Sequence, residues 1–207
     1  MDTKSKDDMA IPFSRLVSSK YELLKNNKYK QMKNIILVLI ALVFCCETHG
    51  QDSTTDYTKK VQTLDQAITT LYDVISGEKG EERNWELFRF LFKPDAKLIP
   101  SGKDKEGVYQ VRYLSPDDYI QTSGKWLIQN GFFENEIHRE TQTFGNITQV
   151  FSTYESFKSK NDTAPFMRGI NSIQLLNDGK RWWIINIYWT QETEENPIPS
   201  KYATKNK

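Results

Sequence analysis

The sequence predicts an α+β domain with three helices in its N-terminal half and a curved antiparallel sheet after them. Two capping signals, Thr63-Leu-Asp-Gln66 and Ser115-Pro116-Asp-Asp118, each precede a run of helical periodicity. Two short loop signals, Gly145-Asn146 and Asp178-Gly179, each lie between long strand-like runs. Aromatic residues make up 13% of the chain, enough bulk for a core that needs no disulfide or metal staple.

Residues 1–31 read as a polar extension ahead of the true start at Met32, and residues 32–50 as a signal peptide. Asn34–Cys46 carries no charge, follows Lys28, Lys30 and Lys33, and is shorter than the roughly 20 residues of a spanning helix. Thr48 and Gly50 supply the small residues of a cleavage site. Both cysteines lie inside this segment, and Phe44 in front of Cys45 argues against lipid attachment. The mature chain then has no cysteine, which removes disulfides, thiol catalysis and thiolate metal sites. The expected destination is the periplasm or the medium, with no membrane contact after cleavage.

Residues 51–60 read as a linker, 61–192 as the domain, and 193–207, with Pro197 and Pro199, as a flexible tail. Residues 51–207 hold 20 Lys and Arg against 22 Asp and Glu. That balance gives no electrostatic reason to expect nucleic acid as a partner.

Within the domain, Leu64, Ala67, Ile68, Leu71 and Ile75 follow one helical face until Gly77. A second helix starts near Asn84, turns Trp85, Phe88, Leu91 and Phe92 inward, and stops at Pro94. Ala96–Ile99 and Val108–Leu114 read as strands. The third helix carries Tyr119, Ile120, Leu127 and Ile128 and closes at Asn130-Gly131. Phe132–Phe144, Ile147–Phe157, Phe166–Asn177 and Lys180–Gln191 form the meander.

Two-residue loops fix register, and register decides which side chains share a face. The first hairpin pairs Phe144 with Ile147, placing Ile137, Arg139 and Thr141 opposite Tyr154, Ser152 and Val150. His138 then shares the other face with Glu136 and Glu140, the alternation of a solvated strand face, which is preferred to a metal site. The second hairpin pairs Asn177 with Lys180, placing Asn171 opposite Asn186 and Gly169 opposite Tyr188. Its other face couples Arg168 and Ile170 with Trp189 and Ile187, and gathers Trp183 and Ile185 into an apolar stripe. Two amides on an apolar face must be hydrogen-bonded, either to each other or to a ligand.

The run Trp85–Phe92 with Pro94-Asp95-Ala96, the run FENEIHRETQTFGNITQVFSTYE and the run RGINSIQLLNDGKRWWIINIYW resemble the nuclear transport factor 2-like superfamily, SnoaL-like domains included, across about 61–192. The resemblance implies a cone-shaped sheet around a pocket. It implies that Arg139, Tyr154, Asn171, Asn186 and Tyr188 look into that pocket and that Tyr72 and Tyr119 close it from the helices. It also implies a homodimer through the outer sheet face, where the stripe lies. Carried over residue by residue, the ketosteroid isomerase pattern fails: its base falls on Pro100 and its second carboxyl on Asn171. The dehydratase pattern needs a pocket histidine, and His138 points outward.

Two function classes stay open. The first is a binding domain for a small ligand of apolar or mixed polarity, with no cofactor and no metal. The second is a lyase or isomerase acting on a small carbonyl or polyketide-like compound in the same pocket. Lack of an inward carboxylate or histidine favours the first, and finding one would revive the second.

Overall fold

A computed structural model describes residues 56–203, together with Lys30; the expected signal peptide, residues 32–50, therefore lies outside the described residues. Among them no helix is long and apolar enough to cross a membrane.

Helix α1 spans Leu64–Ile75, and its capping box forms as the sequence predicts: Thr63 accepts from the Gln66 amide while Gln66 accepts from the Thr63 amide. Its apolar face, Ala67, Ile68, Leu71 and Ile75, is buried. Helix α2 spans Trp85–Leu91 under an Asn84 cap. Pro94 disfavours helical geometry ahead of it, and the chain passes directly into strand β1, Phe92–Lys103, with Asp95 at a positive φ of 67°. Strand β1 thus begins four residues earlier than Ala96. Strand β2 is confined to Tyr109–Val111, although Leu114 still bridges Leu98.

The third expected helix divides into α3, Pro116–Tyr119, a π-helical segment, Ile120–Gly124, and α4, Lys125–Asn130. Strands β3, Phe133–Phe144, β4, Ile147–Phe157, β5, Met167–Asn177, and β6, Trp182–Gln191, make the meander. A short helix α5 covers Ser200–Ala203.

The sheet is curved and unclosed, with order β2-β1-β6-β5-β4-β3. The α+β fold class therefore stands, with one refinement: β1 runs parallel to β6, while the remaining pairs are antiparallel. The inner sheet face meets the helices through Val150, Tyr154, Ile173, Leu175, Ile184 and Ile187.

Two bulges change the expected registers. In the first hairpin Phe144 faces Ile147 as expected, and Arg139 faces Ser152. The pairing then skips Ile137, so that Glu136, not Ile137, faces Tyr154, and Glu134 faces Ser156. In the second hairpin the loop is Asp178–Arg181, because Asp178 accepts from the Lys180 and Arg181 amides and from Trp183 Nε1. Asn177 therefore faces Trp182, not Lys180. The pairing next skips Ile185, so Asn171 faces Trp189, Asn186 faces Gln174, and Tyr188 faces Ser172. A single extra residue turns every following side chain to the opposite face.

The expected apolar stripe changes membership for the same reason. Ile187 is in the core and Trp189 faces inward beside Asn171. Arg168 consequently meets Glu155 at 3.5 Å and Glu192 at 3.2 Å, not Trp189. Trp183 stays outside under Arg181 and Lys93. The tail segment continues as a bridge between Thr193 and Asn196 and as α5, where Tyr202 packs on Phe151 with ring centres 5.2 Å apart. His138 lies outward as expected, yet it is buried, with Tyr202 at 6.1 Å and Glu140 at 3.2 Å.

Candidate functional site

Between the inner sheet face and the helices lies a cavity of about 200 Å3. Leu71 and Ile75 of α1, Phe88 of α2, Leu98 of β1 and Ile187 of β6 make its walls apolar. Tyr119, Ser123 and Trp126 reach it from the third helix, where the π-helical segment ends just after Ser123. Such insertions re-aim side chains and recur at functional sites. Tyr119 is stacked on Phe88, 5.5 Å between ring centres, which fixes its ring.

The sequence reading missed the residue that gives this cavity its chemistry. Glu134, turned inward ahead of the Ile137 bulge, lines the cavity. Its backbone N–H donates to Ser76 Oγ at 3.0 Å, and Ser76 donates in turn to the Tyr72 carbonyl at 2.7 Å, tying the start of β3 to α1. Ser156 Oγ donates to Glu134 Oε2 at 3.1 Å, and Asn171 Nδ2 donates to Oε1 at 3.3 Å. Burial pushes the carboxyl up to about 7, against the opposing effect of those two hydrogen bonds.

Tyr119 and Tyr154 line the same cavity. Burial, and secondarily the Glu134 charge, raises both phenols above their ordinary value, so each keeps its proton. Neither hydroxyl has a hydrogen-bond partner among the described residues. The arrangement is therefore one carboxyl that titrates near neutrality beside two neutral O–H donors in an apolar chamber. Such a set can take a proton from carbon and stabilise the oxygen anion that results.

Of the seven residues singled out from the sequence, Tyr119, Tyr154 and Asn171 line the cavity. Tyr72 is buried behind it, accepting from Asn171 at 3.1 Å and bonded to Ser152 at 2.7 Å. Arg139 shares the inner parity but is engaged by Glu136 at 2.9 Å and by Asp65 at 2.6 Å. Asn186 and Tyr188 lie on the outer face, beyond the Ile185 bulge, so the expected pairing of Asn171 with Asn186 does not form. Tyr188 instead borders an outer groove of about 540 Å3 beside Pro197, Pro199 and Tyr202.

No family model matches the chain, and no curated protein matches it. Among solved structures it is similar to an NTF2-like protein of unknown function from Silicibacter pomeroyi, with 15% identity, 68% of this chain and 99% of that chain covered, and a TM-score of 0.44. It is similar to a proposed dehydratase of the NTF2-like family from Streptomyces avermitilis, with 12% identity, 65% and 97% coverage, and a TM-score of 0.47. It is also similar to a protein of unknown function with a cystatin-like fold from Nostoc punctiforme, with 10% identity, 63% and 89% coverage, and a TM-score of 0.48. At these identities the likeness concerns the fold alone.

Proposed function

We propose that this chain is a small-molecule-binding domain whose cavity is an acid–base site, acting as an isomerase or lyase on a small, mostly apolar carbonyl compound. The observation that supports this is Glu134, a carboxyl near pH 7 inside an apolar cavity. Glu134 takes a proton from the carbon next to the carbonyl, and the Tyr119 and Tyr154 hydroxyls donate to the developing oxygen anion. A base whose pKa matches the working pH is half ionised and ready, which is where proton transfer is most efficient. The cavity lining contains no Lys or Arg, so a neutral ligand fits it better than an anion.

Binding without turnover is the second reading, favoured by the hydrogen bonds that already occupy both Glu134 oxygens. Exchange of carbon-bound hydrogen for deuterium separates the two. A panel of small cyclic ketones is incubated with the protein in heavy water and followed by proton NMR. The acid–base reading expects exchange next to the carbonyl that Glu134→Gln removes; exchange equal in both proteins, or absent from wild type for every ketone that binds, refutes it.

Export and pairing belong to the same proposal. Export rests on residues 32–50. Pairing across the outer sheet face rests on Ile185 and Tyr188, 37% and 46% exposed, since Ile187 and Trp189 have turned inward.

A further inference from the structure

Behind the cavity, a line of polar groups leads away from Glu134: Asn171, Tyr72 and Ser152, which are buried, then Glu136 and Arg139, which are partly exposed. The direction of each hydrogen bond in this line follows from counting protons. Arg139 Nε donates to both Glu136 oxygens, at 2.9 and 3.0 Å, and Nη2 donates to Oε2 at 2.5 Å. A carboxylate so paired only accepts. Ser152 Oγ therefore gives its single proton to Glu136. Ser152 then has only acceptor capacity left, so the 2.7 Å contact is donated by Tyr72. With its proton given to Ser152, Tyr72 accepts, and the group facing it must be an N–H: Asn171 Nδ2, at 3.1 Å. The second proton of that nitrogen points to Glu134 Oε1 at 3.3 Å.

We propose that Tyr72, Ser152, Glu136 and Arg139 are positioning residues that lock the Asn171 amide with its N–H toward Glu134, holding Glu134 as the hydrogen-bond acceptor a general base must be. The inference rests on the reading of Glu134 as that base. Were the amide reversed, its carbonyl would face the carboxyl, and only a protonated Glu134 could satisfy it. The line is not a route for protons, because Asn171 Nδ2 donates one N–H to Tyr72 and the other to Glu134 and takes up no proton itself.

The ionisable neighbours of Glu134 do not imitate this effect. Tyr72, Tyr119 and Tyr154 face it from α1, the third helix and β4, and all three have phenols raised by burial, so they stay uncharged. Glu136 on its own strand is paired with Arg139, which in turn meets Asp65. Asp73, Glu81, Lys160 and Asp162 surround a separate surface depression that Glu134 also borders.

The test is a carboxyl-carbon NMR titration of Glu134 on the full chain carrying labelled glutamate, in wild type, Tyr72→Phe, Ser152→Ala and Ser156→Ala. Ser156→Ala removes a direct hydrogen bond and serves as the positive control. Freeing the Asn171 amide is expected to raise the Glu134 midpoint by about one pH unit in Tyr72→Phe and in Ser152→Ala, the effect of weakening one hydrogen bond to a charged group. Deuterium exchange into the ketone at pH 7 then falls about fivefold with KM unchanged and recovers by pH 9, as the base is ionised again. Loss of stability alone would not recover with pH. A midpoint that moves in Ser156→Ala but stays at the wild-type value in both Tyr72→Phe and Ser152→Ala overturns the positioning role and leaves the base reading in place. A wild-type midpoint in the ordinary carboxylate range overturns the base reading itself.

Discussion

Replacing Glu134 with glutamine is expected to stabilise the protein at pH 8 and to leave its stability unchanged near pH 4. Burial raises the carboxyl from 4.5 to about 7 in the folded chain. Between those values the folded chain holds a proton that the unfolded chain has released. The favourable contribution is therefore complete below about pH 4.5 and is lost as pH rises through about 7. At about 1.4 kcal/mol per pH unit it amounts to roughly 3 kcal/mol, and contact with water in the open cavity reduces that to about 2 kcal/mol. Glutamine has the same shape and no charge at any pH. Its carbonyl can accept from Asn171 while its amide donates to Ser156, so both hydrogen bonds survive. Urea denaturation of wild type and Glu134→Gln at pH 4, 5, 6, 7 and 8 measures the difference. Stability curves that run parallel over this range would show that Glu134 is not held in its neutral form by burial.

Three further outcomes test the fold around the site. Arg83→Met is expected to cost on the order of 3 kcal/mol in urea denaturation, since buried Arg83 donates to the Ile75, Gly77 and Leu127 carbonyls at 2.9, 2.7 and 3.2 Å and its removal takes these donors away, the Gly77 carbonyl alone keeping a second one in the Phe132 N–H. Gly169→Ala places a methyl against the Tyr154 hydroxyl and 2.5 Å from the Thr190 backbone carbonyl, so both the ring and the β5–β6 pairing must give; lower stability in urea denaturation and weaker ketone binding measured by calorimetry are both expected. Tyr188→Glu is expected to change stability by less than about 1 kcal/mol and to weaken the proposed dimer, as read by sedimentation at micromolar concentration, whereas Ile187→Glu, placing a charge in the core, should unfold the chain.

The capping boxes, the helix faces and the hairpin positions were legible because each depends on neighbours in sequence. Thr63 with Gln66 and Ser115 with Asp118 cap their helices through residues three apart. The face assignments failed where they depended on a residue the pattern does not mark. Phe133 and Ile137 share a parity, so that parity reads as inward, yet Phe133 is buried on the outer side, with the Lys160 ammonium 5.4 Å from its ring centre. The actual inward set at that end is Glu134 and Glu136. In β6, nearly every residue from Trp182 to Trp189 is apolar, so neither face is distinguishable and the bulge at Ile185 leaves no trace in the alternation. A polar residue repeated at inward positions of a strand whose partner carries Tyr154 and Ser156 was the available signal for Glu134, and the binary pattern outweighed it.

The cost of Glu134 to the fold is itself an argument about its purpose. Its backbone is held by Ser76, and its side chain satisfies Ser156 and one N–H of Asn171. Glutamine would satisfy the same groups without a charge, so the architecture gains nothing from an ionisable group at this position and loses about 2 kcal/mol when that group ionises. A leucine would fill the cavity and remove the desolvation cost altogether, at the expense of the Asn171 amide, whose other N–H is already fixed by Tyr72. What glutamate alone supplies is a group that exchanges a proton near neutral pH, beside two phenols that do not. Perturbed groups of this kind gather where chemistry needs them. The hydrogen bonds from Ser156 and Asn171 complete the case, because they oppose the effect of burial and hold the midpoint near 7; without them the carboxyl would stay protonated well above neutral pH and could not serve as a base.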